Sequence, residues 1–192
     1  MNEQALPPNH LRRRVAGYHD IRLDGLSDLL LRAQGASVLD VGCNRGLVGF
    51  EFANNGATLV HGCDKFVEGI DTAIQLFMDL RSVQAKHVVN NLALGSKEMK
   101  AFGDQRYDIV VVLATIHKLK RVMPAELLHG LVQDLGNRTI QYFAWRATTE
   151  KFQDNEDEMQ MLDEQLGKCG LKRIHTSYIS VELGLAAIWK RV

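Results

Sequence analysis

Val38-Leu39-Asp40-Val41-Gly42-Cys43-Asn44-Arg45-Gly46 is an apolar run broken by one acid and closed by two glycines. The stretch from Ser37 to Cys43 predicts a buried strand, and Leu47 to Asn54, stopped by Gly56, predicts a helix. Between them the missing side chains of Gly42 and Gly46 let the backbone turn sharply and pass close to a ligand. That ligand would meet free N–H groups at the turn and at the helix start. Asp40 is the odd residue, because a buried carboxylate is costly unless it is hydrogen-bonded. At a strand's carboxyl end it can accept from the loop's N–H groups, or through water from a cationic ligand.

Short β-rich runs and helical runs alternate on either side. Thr58 to Cys63 predicts a second strand, and Val67 to Leu80 a helix with Ile70, Ala73, Ile74 and Phe77 on one face. Lys86 to Asn90 predicts a third strand, followed by a short polar stretch. Tyr107 to Leu113 is nearly continuous in Val and Ile, as expected of a strand buried on both faces. Pro124 marks the start of a helix that runs to Leu135, and Thr139 to Trp145 predicts a fifth strand. Glu156 to Lys168 reads as a helix with an acidic outer face. Lys172 to Ile179 and Leu185 to Lys190 close the chain as two strands joined by a turn around Gly184. Upstream, Leu11 to Gln34 reads as one or two helices whose apolar stripe is Leu26, Leu29, Leu30 and Leu31. The pattern predicts an α/β three-layer sandwich with a mostly parallel seven-stranded sheet. The last two strands have no helix between them and must form a C-terminal antiparallel hairpin.

Composition narrows the function classes. The 192 residues suffice for one domain, with 46% apolar and 24% charged residues. Basic and acidic residues balance at 23 each, which argues against a protein that grips long nucleic acid mainly through its phosphates. A local basic site stays open. Cys43, Cys63 and Cys169 are too few and too scattered for a disulfide framework, and no Cys or His spacing suggests a metal. The N-terminus lacks signal-peptide order and no apolar run approaches the roughly 20 residues of a membrane span, so a cytoplasmic location is expected.

The run Val38–Gly46 closely resembles motif I of the class I, Rossmann-like methyltransferases, and the resemblance extends in register from about Ser37 to Trp145. It implies S-adenosyl-L-methionine as cofactor, a small-molecule branch of the family, and residues 35–192 as the methyltransferase domain. Residues 1–34 would be an N-terminal tail with lid helices. Asn44 stands where the common motif has glycine; asparagine is the residue that best tolerates a left-handed backbone after glycine. Asp64 follows the second strand about 20 residues after the glycine turn, where an acid can accept both ribose hydroxyls. It could instead cap the next helix. The resemblance assigns Asp40, Gly42, Cys43, Asn44, Gly46, Asp64, Lys65, Asn91 and Ala114 to the cofactor, with Phe66 near the adenine or simply packed in the core. After the third strand the family often has an acid beside the adenine; here Asn90 and Asn91 stand there, as amide acceptors or as turn formers.

Residues after the fourth strand, Ala114 to Arg121, should face the transferred methyl. This stretch has no Asp- or Asn-Pro-Pro-aromatic loop, no acid at the strand end and no paired glutamates, and the chain has no Pro-Cys pair. Those gaps disfavour the DNA-amino, cytosine-carbon, metal-dependent catechol, ribose and protein-arginine subclasses. His117 occupies the place where small-molecule enzymes often carry a histidine; it is either a catalytic base or a packing residue. Lys118, Lys120 and Arg121 form one basic cluster and Arg12, Arg13 and Arg14 another, which could attract an anionic acceptor or be solvated faces. Tyr18 and His19 could belong to the lid. Trp145 and Arg146 fall on the ligand side, with Trp145 lining the acceptor pocket or plugging the sheet end. Three rivals remain open: a methyltransferase acting on RNA or a nucleotide phosphate end, a catalytically degenerate member that binds the cofactor or nothing and works as an interaction module, and a nicotinamide-dependent oxidoreductase.

Overall fold

The computed structural model describes residues 23–148, 152–180 and 184–192. Its strands are β1 (Ser37–Val41), β2 (Leu59–Asp64), β3 (Gln84–Val89), β4 (Tyr107–Leu113), β5 (Thr139–Arg146), β6 (Leu171–Ser180) and β7 (Gly184–Arg191). The helices are α1 (Leu47–Asn54), α2 (Val67–Phe77), α3 (Ile116–Lys120), α4 (Ala125–Arg138) and α5 (Phe152–Gly167). One sheet of order β3-β2-β1-β4-β5-β7-β6 joins all seven strands. The first five pair in parallel. β7 inserts antiparallel between β5 and β6, which is the predicted closing hairpin. The order reverses between β1 and β4, so their connections diverge to opposite sides and leave a crevice at their carboxyl ends.

Alternation along the strands builds a core on each face of the sheet. Val110, Val112, Phe143 and Trp145 face Leu128, Leu131 and Leu135 of α4 and Leu162 and Leu166 of α5. Ile109, Val111 and Ala144 face Val48 and Phe52 of α1, Phe77 of α2, and Leu26 and Leu29. That is the three-layer sandwich. Leu23, Leu26, Leu29 and Ala33 belong to the same buried cluster as Val38, so the chain ahead of residue 35 is packed onto the domain from residue 23 onward. At the amino ends of the strands, the Asp108 carboxylate accepts from Ser37 N (2.9 Å), Ser37 Oγ (2.7 Å) and Gln141 Nε2 (2.9 Å), tying β1, β4 and β5.

Several local readings change. Ser27–Arg32 is a 3-10 helix, not an α-helix. Three residues per turn put Leu26 and Leu29 on one face and turn Leu31 outward, 85% exposed. Ile74 sits on the flank of the α2 stripe and is half exposed, while Ile70, Ala73 and Phe77 are buried. The stretch expected to be polar after β3 holds 3-10 turns at Leu92–Leu94 and Ser96–Phe102, which bury Leu92, Met99 and Phe102. The short helix α3 was not expected; it buries Ile116 and Leu119, three residues apart. No helix among the described residues is long and apolar enough to cross a membrane.

Two features of this framework are directly testable. Gly42 ends β1 at φ 78°, and a Cβ there would collide with the Thr115 hydroxyl. Gly42→Ala is expected to destabilise the protein by ~1–3 kcal/mol in urea melts. Adding Thr115→Ala removes the collision but not the dihedral cost, so it should restore only part. A Gly42→Ala chain as stable as the wild type would show that this turn relaxes freely. The second feature is Glu158 of α5, buried against Trp145. Burial raises its carboxyl to about 7, partly opposed by Lys120, the Trp145 indole N–H and Arg121, with Asp154 adding to the rise. The fold therefore favours the protonated form, so this contribution is complete below about 4.5 and is lost as pH climbs through about 7. The melting-temperature advantage of Glu158→Gln over the wild type should grow between pH 5 and pH 8; parallel profiles would show that the carboxyl ionises freely.

Candidate functional site

The crevice at the ends of β1 and β4 opens into a cavity of about 500 Å³. This lies within the range of small-molecule sites. On one side is the turn after β1, where Gly42, Asn44 and Gly46 all have left-handed backbones (φ 78°, 50° and 73°). Gly42 N and Cys43 N both donate to Cys63 O, at 2.8 and 3.0 Å, fastening the turn to β2. Asp64 completes the fastening. Its Oδ2 accepts from Asn44 N (2.9 Å) and its Oδ1 from Phe66 N (3.0 Å). Phe66, not Asp64, is the N-cap of α2, so the acid braces two turns instead of capping a helix. Asp40 is buried and accepts from Gly49 N (3.2 Å) in the first turn of α1, which gives this carboxylate a backbone donor.

Asp40, Gly42, Cys43, Asn44, Asp64, Lys65, Asn91 and Ala114 all line the cavity, as does Phe66. Gly46 does not. It caps α1 and lets α2 come close: a Cβ there would lie 2.8 Å from that of Ala73. Burial, with lesser pushes from Asp40, Cys63 and Asp64, drives the Cys43 thiol far above its ordinary range, so it is a neutral wall group. Asn90, buried and also lining the cavity, is the sharper of the two asparagines. Its Nδ2 donates to Glu98 O (2.7 Å), while Oδ1 has no hydrogen-bond partner. A buried acceptor left open beside a cavity is a place for a ligand's donor.

The other side of the cavity is formed by the ends of β4 and β5. Ala114 is left-handed (φ 54°) and its N–H donates to Arg146 O (2.9 Å). Lys118, Leu119 and Val122 line the wall beside it. Trp145 is fully buried on the α4–α5 face of the sheet and does not line the cavity, whereas Arg146 does, because strand alternation sends neighbours to opposite faces. His117 is also absent from the wall; the Thr148 Oγ1 lies 3.0 and 3.1 Å from its ring nitrogens. Arg121 is exposed at the end of α3, away from the wall. Tyr18, His19 and Arg12 to Arg14 lie outside the described residues. Two glycines in helical stretches escaped the sequence reading. A Cβ on Gly49 would lie 2.8 Å from Val60 Cγ1, and one on Gly69 would lie 3.0 Å from Asn44 O. Glycine inside a helical pattern is the signal for such close approach. Among the described residues there is no group of His, Cys, Asp and Glu that could hold a metal ion.

No protein family and no curated protein matches the chain by sequence. Solved structures do match it in shape. The magnesium protoporphyrin IX methyltransferase of Synechocystis PCC 6803, solved with bound S-adenosylmethionine, superimposes with a TM-score of 0.66 at 19% identity. The match covers 94% of this chain and 89% of that one. A TehB-like S-adenosylmethionine-dependent methyltransferase from Corynebacterium glutamicum matches at 0.62 and 18% identity over 95% of both chains. The N-methyltransferase NodS from Bradyrhizobium japonicum matches at 0.64 and 14% identity, over 97% of this chain and 99% of that one. At identities this low the likeness is one of fold, and with the strand order above it shows that the chain has the Rossmann-like fold of the class I methyltransferases.

Proposed function

We propose that this protein is an S-adenosylmethionine-dependent methyltransferase acting on an oxygen of a small acceptor by direct displacement. The observation that carries the reading is the Asp64-braced turn Gly42–Gly46, opening on the same cavity as the uncommitted Asn90 Oδ1. The residues fit the cofactor. Gly42 leaves the backbone bare where a Cβ would already strike Thr115, and the left-handed turn lets a ligand lie against main chain. Each Asp64 oxygen keeps a lone pair beyond its backbone bond, enough to accept the two ribose hydroxyls. Of the two asparagines expected near the adenine, Asn90, with its buried open Oδ1, is our candidate acceptor for the adenine amino group, and Asn91 is exposed.

Bound S-adenosylmethionine supplies a sulfonium methyl that is already electrophilic. The chain's task is then alignment and exclusion of water. Ala114 and Thr115 shape the cavity floor between the two halves, and Leu113, Leu119 and Val122 give the acceptor half an apolar lining. The acceptor oxygen forms its bond to the methyl carbon as the carbon–sulfur bond breaks, with the electron pair going to sulfur. For a hydroxyl acceptor a proton must also leave, and His117, next in the chain to the wall residue Lys118, is the candidate base.

Calorimetric titration with S-adenosylmethionine and S-adenosylhomocysteine, with NAD and NADP as controls, tests this directly. Both sulfur ligands should bind one-to-one, the nicotinamides should not, and Asp64→Ala should weaken binding about 10-fold or more. Nicotinamide binding, or no binding at all, would sink the reading. Once an acceptor is in hand, His117→Ala should leave cofactor binding intact and slow turnover; unchanged turnover removes it from the mechanism.

A further inference from the structure

β3 closes one side of the sheet, and its outer edge is open. Two bonds fix the phase of this strand: Gln84 N donates to Thr58 O and Asn90 N to Asp64 O, both at 2.8 Å. The even-numbered residues thus turn their main-chain polar groups to β2, and Ala85, His87 and Val89 turn theirs outward. Among the described residues none bonds to those outward groups. Sheet edges are usually guarded by bulges, prolines or outward charges. β6, at the opposite edge, is broken by register shifts between Arg173 and His175 and between Tyr178 and Ser180. β3 runs unbroken along β2 and contains no proline, and its lysine, Lys86, is folded back onto Ala101 O and the Phe102 ring. The helix above is bare on the same side. α2 lies over β3 through Phe77, whose ring centroid is 4.6 Å from that of His87. On one flank of α2, Gly69 closes against the Asn44 carbonyl and Ala73 against Gly46. Helical spacing puts Val67, Ile74 and Met78 on the other flank, toward the edge, where they are 51%, 46% and 69% exposed.

We propose that two copies of this chain pair through this edge, β3 antiparallel to β3, about a two-fold axis at His87. The outward set is symmetric about its middle residue, so the pairing is self-complementary. Ala85 faces Val89 of the second copy, His87 faces its own counterpart, and every outward N–H and C=O finds a partner. The axis stands perpendicular to the sheet. Both α2 helices therefore fall on the same face, antiparallel, with their Ile74 and Met78 flanks turned toward each other. A lone peptide strand added to the edge would satisfy the main chain but leave those side chains bare; a second copy covers both. The strip is about 20 Å long and, with one packed layer on each face of the sheet, about 20 Å deep, so on the order of 1,000 Å² is buried in all. That is the threshold for a specific interface and suits a weak, reversible dimer.

Sedimentation of the full chain between about 5 and about 300 μM should show a reversible monomer–dimer equilibrium. Ala85→Pro deletes an outward N–H without touching a bond to β2, and Ile74→Lys with Met78→Lys sets like charges against each other across the axis. Each should raise the dimer dissociation constant about 10-fold or more, with the circular dichroism spectrum unchanged. Register is read separately, because facing residues of a hydrogen-bonded antiparallel pair lie about 5.5 Å apart at Cα, within disulfide reach. The double variant Ala85→Cys/Val89→Cys should cross-link on mild oxidation, joining position 85 of one copy to position 89 of the other. Within one chain those positions are about 13 Å apart and cannot join, and the three native cysteines are buried. Amide exchange at Ala85, His87 and Val89 should slow as concentration rises. A chain that stays monomeric throughout, or a dimer indifferent to the edge and helix substitutions, would overturn the proposal. So would a cross-link that is absent or joins other positions, and so would full protection of those three amides already in the monomer, which would mean another occupant.

Discussion

The Asp64 carboxylate holds the N–H groups of Asn44 and Phe66, which belong to two different strand-to-helix connections. Almost everything about the site depends on that one group. Asn44 sits in a left-handed conformation that a non-glycine residue adopts at a cost, and the charge-assisted bond from its N–H helps to offset it. With Gly42 and Cys43 anchored to Cys63 O, the turn is held from β2 at two places, by main chain and by side chain. Gly69 then allows α2 to close against the Asn44 carbonyl, a contact that any Cβ would disturb. The cofactor side of the cavity is thus rigid because the ends of β1 and β2 are locked together, before any ligand is considered.

How much of this could be read from sequence depends on how local the cause is. β4 and α1 match their predicted bounds because a continuous Val/Ile run and a glycine-flanked apolar run have one simple interpretation each. The hairpin was legible from connectivity alone. What escaped depends on distinctions that periodicity blurs. Leu26 and Leu29 suit both a 3.6- and a 3-residue repeat, and only the outward Leu31 separates the two. Met99 and Phe102, set among charged residues, lacked enough apolar neighbours to be recognised as a buried turn. In the site, Trp145 and Arg146 differ by one step of a two-residue period, so an error of one residue in phase exchanges a core plug for a wall residue. Asn90 outranks Asn91 because it is buried with its Oδ1 open while Glu98 O holds its amide nitrogen, a contact eight residues away that no motif contains.

Left-handed backbones occur at both lips of the crevice: Gly42, Asn44 and Gly46 after β1, and Ala114 after β4. The pairing matters. Two neighbouring parallel strands whose chains simply ran on would fill the space above their ends; here each chain breaks away at once, in opposite directions, and the gap is the cavity. At Ala114 the reversal uses an alanine where glycine would be relaxed, a local cost of roughly 1–2 kcal/mol. Its N–H continues the ladder to Arg146 O, so the strained residue is also the one that fixes the backbone of the buried cation beside it. Thr115, next in the chain, donates to Leu113 O and crowds Gly42 from across the gap. The strain at Ala114 and the close approach at Gly42 are therefore two sides of one contact between β1 and β4. Widening either lip would move Arg146 and the cofactor turn apart together, which couples the two halves of the cavity through the main chain and the Thr115 side chain.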